Sequence, residues 1–297
     1  ARMGLESTKD SETARKWLKL VSIQGLVTRG DVDEALERLR RIDIEDEHLY
    51  SARFDGHYAS RHQPQQEKHF VFCEGNDLSK RFREAERFTV AELGFGSGLG
   101  FLVTARLWLD TAPANATLDY FSIEAYPLTR QQLLEAQTAF PELADIANEL
   151  QQHYSGDNGG FHRLNLFGER IRLTLVVSEV MDALEQIETE VDAWYLDGFA
   201  PAKNPQMWRP DIFRAMNRLS RDTATFATYT PAGQVRRDLR DAGFDVTKAP
   251  GYAHKRERLI GKLSQRWVHH PAQKPWKQRP TPLETRDCVS ILGGGIA

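Results

Sequence analysis

The run from Glu92 to Gly100, with the sequence ELGFGSGLG, places four glycines after an acidic residue. Glycine lets a backbone adopt positive φ and approach a ligand closely. Free N–H groups at the start of a following helix favour polar or anionic ligand groups. The spacing Gly-x-Gly-x-Gly differs from the dinucleotide pattern Gly-x-Gly-x-x-Gly, and no Gly-Lys-Ser/Thr follows as a nucleoside triphosphatase requires. We therefore predict a cofactor site at this turn, with a tight ligand-free turn as the alternative.

Glu124 ends the next β-rich run of the sequence. In a doubly wound sheet, a carboxylate in this place lies beside the glycine-rich turn and accepts hydrogen bonds from both ribose hydroxyls. The turn and Glu124 together suit any adenosine cofactor. These two features leave S-adenosylmethionine and NAD as alternatives.

The most specific stretch of the sequence is DGFAPAKNPQMW, residues 197–208. Asp197 follows a buried-type strand, at the carboxyl edge where α/β sheets bind ligands. A carboxylate there can accept the N–H protons of an amine and orient its lone pair for attack, and Phe199 could stack on a nucleobase. The alternative is a helix-capping Asp followed by a proline-rich loop.

Strands and helices alternate between residues 70 and 263, which predicts an α/β fold with a mostly parallel sheet and helices on both faces. We predict helices over 205–219 and 231–242 and a hairpin around Phe167–Arg170. The seven predicted strands are Phe88–Leu93, Leu118–Glu124, His162–Leu166, Ile171–Val177, Ala193–Leu196, Ala224–Tyr229 and Arg258–Leu263.

The flanking segments differ from this body. Residues 1–50 are predicted to form a helical preface, with Asp31 as an N-cap and Glu34 three residues later. Residues 264–286 are basic and proline-rich, which predicts a linker, and residues 287–297 are predicted to form a strand and a glycine-rich turn. The 297 residues are 40% hydrophobic and 27% charged, as in globular proteins. No apolar run approaches the ~18 residues that span a bilayer, and Cys73 and Cys288 are too far apart for a metal motif, so we expect no metal and a cytoplasmic protein.

Several motifs together resemble the methyltransferase half of the bifunctional tRNA 5-methylaminomethyl-2-thiouridine biosynthesis proteins. They are the turn from Glu92 to Gly98, the segment 124–129, the stretch 197–208, the trio 255–257, and the segments 54–60 and 74–76. The resemblance covers about residues 54–297. Gly100 and Ser97 stand where the family pattern has Asn and Thr.

The resemblance implies a class I S-adenosylmethionine-dependent methyltransferase, Rossmann-like with a seven-stranded sheet, over residues 51–263. It implies methylation of the 5-aminomethyl group of 5-aminomethyl-2-thiouridine at the tRNA wobble position. Asp197, Phe199 and Pro201 would form the catalytic motif. The implied cofactor-binding residues are Glu92, Gly94, Gly96, Gly98, Glu124 and Glu179.

The end of the chain, from Ile291 to Ala297, is similar to the opening of that family's second half, which binds FAD. We expect a truncated FAD domain here and FAD binding only in a full-length protein, because the helix and remaining strands of a dinucleotide fold are missing. The expected partners are tRNA and this oxidoreductase domain of the same polypeptide. We expect no membrane partner and a monomer.

The charge is unevenly distributed along the chain. Residues 229–297 carry 13 Lys and Arg against 6 Asp and Glu, whereas residues 1–228 carry 26 against 36. A local basic surface is sufficient for phosphate binding. We predict that Arg236, Arg237, Lys255 and Arg256 bind tRNA, the alternative being an ordinary solvated face. Two other functions stay open: a methyltransferase acting on a small amine or a protein, and a non-catalytic adenosine-binding module.

Overall fold

The structure is a computed structural model that describes residues 43–45, 48–51, 53–54, 56–57, 63–156, 158–253 and 255–267. The helix predicted after Asp31, most of the linker and the glycine-rich turn at 287–297 lie outside the described residues.

A small antiparallel sheet precedes the main domain in sequence. Its strands are β1 (Asp43–Glu45), β2 (His48–Ser51) and β3 (Gly56–His57). β1 and all of β2 except Ser51 lie inside the segment 1–50 for which we predicted a helical preface. Alternation of apolar and polar residues, as in Asp43-Ile44-Glu45, is the strand period, and it corrects the prediction for this part of the segment.

The main sheet has eight strands in the order β10-β11-β9-β8-β4-β5-β7-β6. They are β4 (Arg87–Leu93), β5 (Thr117–Glu124), β6 (Gly160–Leu166), β7 (Ile171–Val177), β8 (Val191–Leu196), β9 (Ser220–Thr228), β10 (Phe244–Pro250) and β11 (Glu257–Leu263). The five central strands from β9 to β7 are parallel, and the edges are antiparallel. This confirms the predicted fold class and the hairpin.

The sheet contains one strand more than the sequence predicted, namely β10. Only Phe244 and Val246 of this strand are buried, and its polar residues face solvent. The apolar signal is therefore too weak to distinguish this edge strand from a loop.

Eight α-helices accompany the strands in the described ranges. They are α1 (Pro64–Lys68), α2 (Leu78–Arg83), α3 (Leu99–Thr111), α4 (Arg130–Gln137), α5 (Ala144–His153), α6 (Val180–Gln186), α7 (Pro210–Leu219) and α8 (Gly233–Asp241). A π-helix, His69–Cys73, continues α1. The helix predicted over 205–219 is instead a 3₁₀ turn, Pro205–Trp208, followed by α7. Arg209 is extended between them (φ −74°, ψ 147°), because a residue before proline avoids the helical region.

Two apolar clusters cover the faces of the sheet, one around Trp108 and one around Trp194. Helices on both faces bury these side chains, and the central strands they cover are held rigidly. The π-helix adds Val71, Phe72 and Cys73 to the first cluster. The carboxyl ends of β4, β5 and β8 are thereby fixed at one edge.

The residues after β11 remain attached to the domain. The N–H groups of Ser264 and Gln265 both donate to the Gly243 carbonyl at 3.0 Å, and the Trp267 N–H donates to Asn217 Oδ1 at 3.0 Å. The first four residues of the predicted linker thus pack on the domain. Within the described part of the chain, no helix is long and apolar enough to cross a membrane.

Candidate active site

A cavity of about 490 Å³ opens at the carboxyl ends of β4, β5 and β8. It collects residues from eight separate parts of the sequence. Of the predicted site residues, those lining it are Gly94, Gly96, Glu124, Glu179, Asp197, Phe199 and Lys255. The parallel strands bring these residues together because all their carboxyl ends lie at the same edge of the sheet.

The glycine-rich turn forms one wall of the cavity. Gly94, Gly96 and Gly98 all have positive φ, at 102°, 53° and 73°. A Cβ on Gly94 would lie 3.0 Å from the Asp197 carbonyl oxygen. This turn therefore requires glycine for its conformation and for its close approach to the next strand.

Glu124 lies directly beside the turn, as the sequence predicted. Its Oε2 accepts from the Gly96 N–H and its Oε1 from the Tyr126 N–H, both at 3.0 Å. Burial raises the pKa of Glu124, and these backbone N–H groups partly oppose that effect. Each carboxylate oxygen has a second lone pair, so Glu124 is held in place and can still accept hydroxyl groups.

A chain of polar contacts leads from Arg53 to Glu179. Arg53 Nη2 donates to the Tyr126 hydroxyl at 2.6 Å, and that hydroxyl donates to Glu179 Oε1 at 3.2 Å. The Arg53 guanidinium also lies 3.7 Å from the centre of the Tyr126 ring. Glu179 precedes α6 without capping it through its side chain, so its carboxylate is directed to this chain instead.

Asp197 is almost entirely buried in the cavity wall, and its carboxylate is ion-paired to Lys68 of α1. The two side chains are 9% and 13% exposed. Burial raises the pKa of Asp197, and the Lys68 ammonium opposes that rise. The predicted amine-orienting carboxylate is therefore present, together with a cation that the sequence did not predict.

A second ion pair adjoins the first. Lys255 Nζ lies 2.6 Å from Glu67 Oε1, and 5.0 Å from the centre of the Tyr229 ring. The Tyr229 hydroxyl donates to the Gly198 carbonyl at 2.7 Å. Burial, together with the negative charges of Asp197 and Glu67, raises the pKa of Tyr229, which keeps this hydroxyl protonated.

Phe199 stacks on Phe54, with ring centroids 4.7 Å apart and an interplanar angle of 25°. Its carbonyl accepts from Trp208 Nε1 at 2.8 Å. One face of the Phe199 ring is thus covered, and stacking on a nucleobase would use its other face or displace Phe54.

Three of the predicted catalytic and cofactor-binding residues do not line the cavity. Glu92 is fully buried, because the chain turns over it and a Cβ on Gly100 would overlap its Oε1. Gly98 begins α3 against Phe95 and Gln137. Pro201 belongs to the turn after β8 and lies outside the wall. These three residues are therefore not in direct contact with the cavity space.

Of the four predicted tRNA-binding residues, only Lys255 lines the cavity. Arg236 and Arg237 lie on α8, where Arg236 is half-buried and Arg237 is exposed. Arg256 is exposed just before β11. Nearby Arg258, by contrast, is buried and donates to the carbonyls of Phe70 and Val71, so it stabilises the fold.

Sequence reasoning missed several lining residues, chiefly Lys68, Glu67, Tyr126 and Tyr229. Tyr229 follows directly after β9, at the edge of the sheet where the carboxyl ends of the parallel strands meet. Its position in the sequence could therefore have predicted that it lines the cavity. Lys68 lies in a short polar segment before an apolar run and gave none. No group of three or more His, Cys, Asp and Glu side chains in the described ranges could hold a metal ion.

The donor set fits an adenosine cofactor. A Cβ on Gly94 would approach the Asp197 backbone, Gly96 has positive φ, and Glu124 offers free lone pairs for hydroxyls. Val180 and Ile123 add apolar surface near Glu179. These features suit a ribose and a flat base better than a pyrophosphate.

Comparisons with known proteins agree with this geometry. A family model described as S-adenosyl-L-methionine-dependent methyltransferase matches residues 141–264. The tRNA 5-methylaminomethyl-2-thiouridine biosynthesis bifunctional protein MnmC of Nitrosospira multiformis is 43% identical over 86% of this chain, and that of Hydrogenovibrio crunogenus is 42% identical over 83%.

The chain spans about two fifths of the length of these relatives, 40% and 37%. Among solved structures, MNMC2 from Aquifex aeolicus has a TM-score of 0.58 and 18% identity, covering 73% of this chain and 66% of its own. That likeness confirms the fold.

Proposed function

Because the chain belongs to the S-adenosyl-L-methionine-dependent methyltransferases and corresponds to the methyltransferase part of the MnmC proteins, we propose that it methylates the 5-aminomethyl group of 5-aminomethyl-2-thiouridine in tRNA. The product would be 5-methylaminomethyl-2-thiouridine, which the names of its relatives contain. The observation that carries the proposal is the shared cavity, in which the glycine turn and the buried Asp197 face the same space.

The residues of the turn would hold the cofactor on one side of this cavity. Glu124 would accept the ribose hydroxyls, and the Tyr126–Glu179 contact would border the base. When bound, S-adenosylmethionine supplies a methyl group on a positively charged sulfur, which an amine lone pair attacks.

Asp197 would hold the substrate amine on the other side. Its carboxylate accepts N–H protons, and the adjacent Gly198 and Phe199 carbonyls belong to the same strand end. An amine held through its N–H groups presents its lone pair away from these acceptors, in a defined direction. Burial of Asp197 excludes water that would compete for the same protons.

The test is methyl transfer to tRNA carrying 5-aminomethyl-2-thiouridine, followed by nucleoside mass analysis. Wild-type protein should add one methyl group, and Asp197→Asn should lose transfer while its calorimetric affinity for S-adenosylmethionine stays within about threefold. Asp222→Asn, at a side chain that is 80% exposed, is the matched control and should behave as wild type.

Three outcomes contradict the proposal. Transfer to a panel of small amines or proteins but not to tRNA would favour another methyltransferase. Cofactor binding without transfer to any acceptor would favour a binding module. Near wild-type turnover of Asp197→Asn would exclude Asp197 as the residue that holds the amine.

We further propose that Arg236, Arg237, Lys255 and Arg256 contact tRNA phosphates, since Lys255 lines the cavity and Arg237 and Arg256 are exposed. The longer relatives support the proposal that the natural polypeptide carries an additional FAD-dependent oxidoreductase domain. A tRNA-modifying role is consistent with a cytoplasmic monomer, which analytical ultracentrifugation would test.

A further inference from the structure

The Lys68–Asp197 ion pair occupies the position where the proposed amine must bind. Both side chains line the cavity and are largely withdrawn from solvent. The Lys68 ammonium additionally lies 5.4 Å from the centre of the Phe72 ring, which is within cation–π range. The carboxylate that is to receive a substrate amine therefore already has a cationic partner.

Lys68 is held in this place by contacts from the far end of the domain. Neighbouring Glu67 pairs with Lys255, and the Tyr252 hydroxyl lies within donating distance of Gln63 Oε1 (2.9 Å) and Gln66 Oε1 (3.1 Å). These contacts fasten both ends of the short helix α1. The ammonium is thus positioned by the fold and is not a loose surface cation.

Two ion pairs lie at this position before any substrate arrives. Lys68 and Lys255 offset Asp197 and Glu67 pair by pair, and Glu92 keeps its proton up to about pH 8. The titratable and charged groups that face the Lys68–Asp197 pair are Glu67, Glu92, Tyr120, Lys203, Tyr229 and Lys255. A substrate ammonium would add an uncompensated positive charge beside the largely buried Lys68–Asp197 pair, whereas a neutral amine would add none.

This balance bears on the chemistry, because only the neutral amine can attack. Free amines have pKa values of about 8 to 10, so most of the substrate is protonated at neutral pH. A lone carboxylate within about 4–6 Å would stabilise the ammonium further, by roughly one to three pKa units. Asp197 alone would therefore hold the substrate in its unreactive form.

We propose that Lys68 is a further positioning residue for the reaction: its ammonium offsets the Asp197 charge, so that the substrate amine binds neutral with its lone pair free. The inference rests on the proposed function. The ammonium form first loses its proton to water. The amine lone pair then forms the new N–C bond as the C–S bond breaks with its electrons staying on sulfur, and the methylated nitrogen releases a second proton to water.

The test compares Lys68→Met and Lys68→Arg across pH 6–10, using single-turnover methylation of tRNA carrying 5-aminomethyl-2-thiouridine. In Lys68→Met the methylation rate at pH 7 should fall by about ten- to a thousandfold and recover at high pH. The pH-rate profile of this variant should shift to higher pH by about one to three pH units. Lys68→Arg keeps the charge and should keep the wild-type profile. Lys248→Met removes an exposed lysine paired with Glu257 outside the cavity, and should change nothing.

A second readout is binding of the same tRNA without cofactor. Below the amine pKa, Lys68→Met should bind the aminomethyl tRNA more tightly than wild type, because the substrate ammonium replaces the lost lysine charge. A tRNA with 2-thiouridine only should show no such gain.

The outcomes separate the two ideas. If Lys68→Met methylates slowly at every pH and binds the aminomethyl tRNA no more tightly than wild type, Lys68 has a structural role and the inference is overturned. Wild-type protein that methylates no aminomethyl tRNA would instead overturn the proposed function, irrespective of Lys68.

Discussion

The first prediction concerns the protonation state of Glu92, a buried carboxyl group beneath the cavity. Its Oε2 accepts from Ser122 Oγ at 2.7 Å, while its Oε1 has no hydrogen-bond partner among the described residues. Burial, reinforced by the negative charge of Asp197, raises the pKa of Glu92 from 4.5 to about 8. The carboxyl group therefore keeps its proton in the folded protein at neutral pH.

The consequence is a dependence of stability on pH. The unfolded chain releases this proton near pH 4.5, and the folded chain retains it until about pH 8. Because the folded state binds more protons between these values, the contribution of Glu92 to stability is fully present below pH 4.5 and is lost as pH rises to about 8. The two pKa values correspond to about 5 kcal/mol in all, with a steepest slope of about 1.4 kcal/mol per pH unit.

The perturbation is Glu92→Gln, which keeps the shape and removes the titration. Urea unfolding at pH 5, 6, 7 and 8 should show that the variant gains free energy of unfolding relative to wild type as pH rises, by several kcal/mol over the range. Glu142→Gln at an exposed carboxylate has the same loss of charge and serves as control. A difference between Glu92→Gln and wild type that stays constant across pH would refute the reasoning.

Two further predictions concern the cofactor and the tRNA surface. Gly94→Ala should lower the unfolding free energy by about 1–2 kcal/mol and weaken S-adenosylmethionine binding, since residue 94 has φ 102°. Chemical denaturation and calorimetry would measure the two effects. The control is Gly159→Ala, where no neighbouring atom would lie closer than 4.0 Å to the added Cβ. Unchanged cofactor affinity would argue against the turn as the cradle. Arg237→Glu with Arg256→Glu should weaken tRNA binding and reduce the slope of log K against log salt by about 1 per lost phosphate contact, and an unchanged slope would exclude this surface.

Sequence alone was sufficient for the parts of the site that depend on strand ends. Glu124 and Asp197 lie where they were predicted, because a parallel sheet gathers its carboxyl ends whatever the details of packing. Glu92 belongs to the same motif, but the prediction could not tell that Gly100 would cover it.

The sequence could not predict Lys68 as a site residue, for a different reason. It meets Asp197 across 129 residues of sequence, and the short helix that carries it has no amphipathic pattern. The small sheet at 43–57 and strand β10 were likewise missed, since few apolar residues mark them. Long-range pairing between polar side chains leaves no periodic signal.

Arg258 has a consequence for how the protein is made. Its guanidinium, from the last strand, binds carbonyls of the π-helix beside Lys68 across 188 and 187 residues. Strand β11 also lies between β9 and β10, so it enters the sheet only after nearly the whole domain has been synthesised. A nascent chain on the ribosome therefore contains the glycine turn and Asp197 long before it has the support for Lys68, and its site is completed only by the final strand.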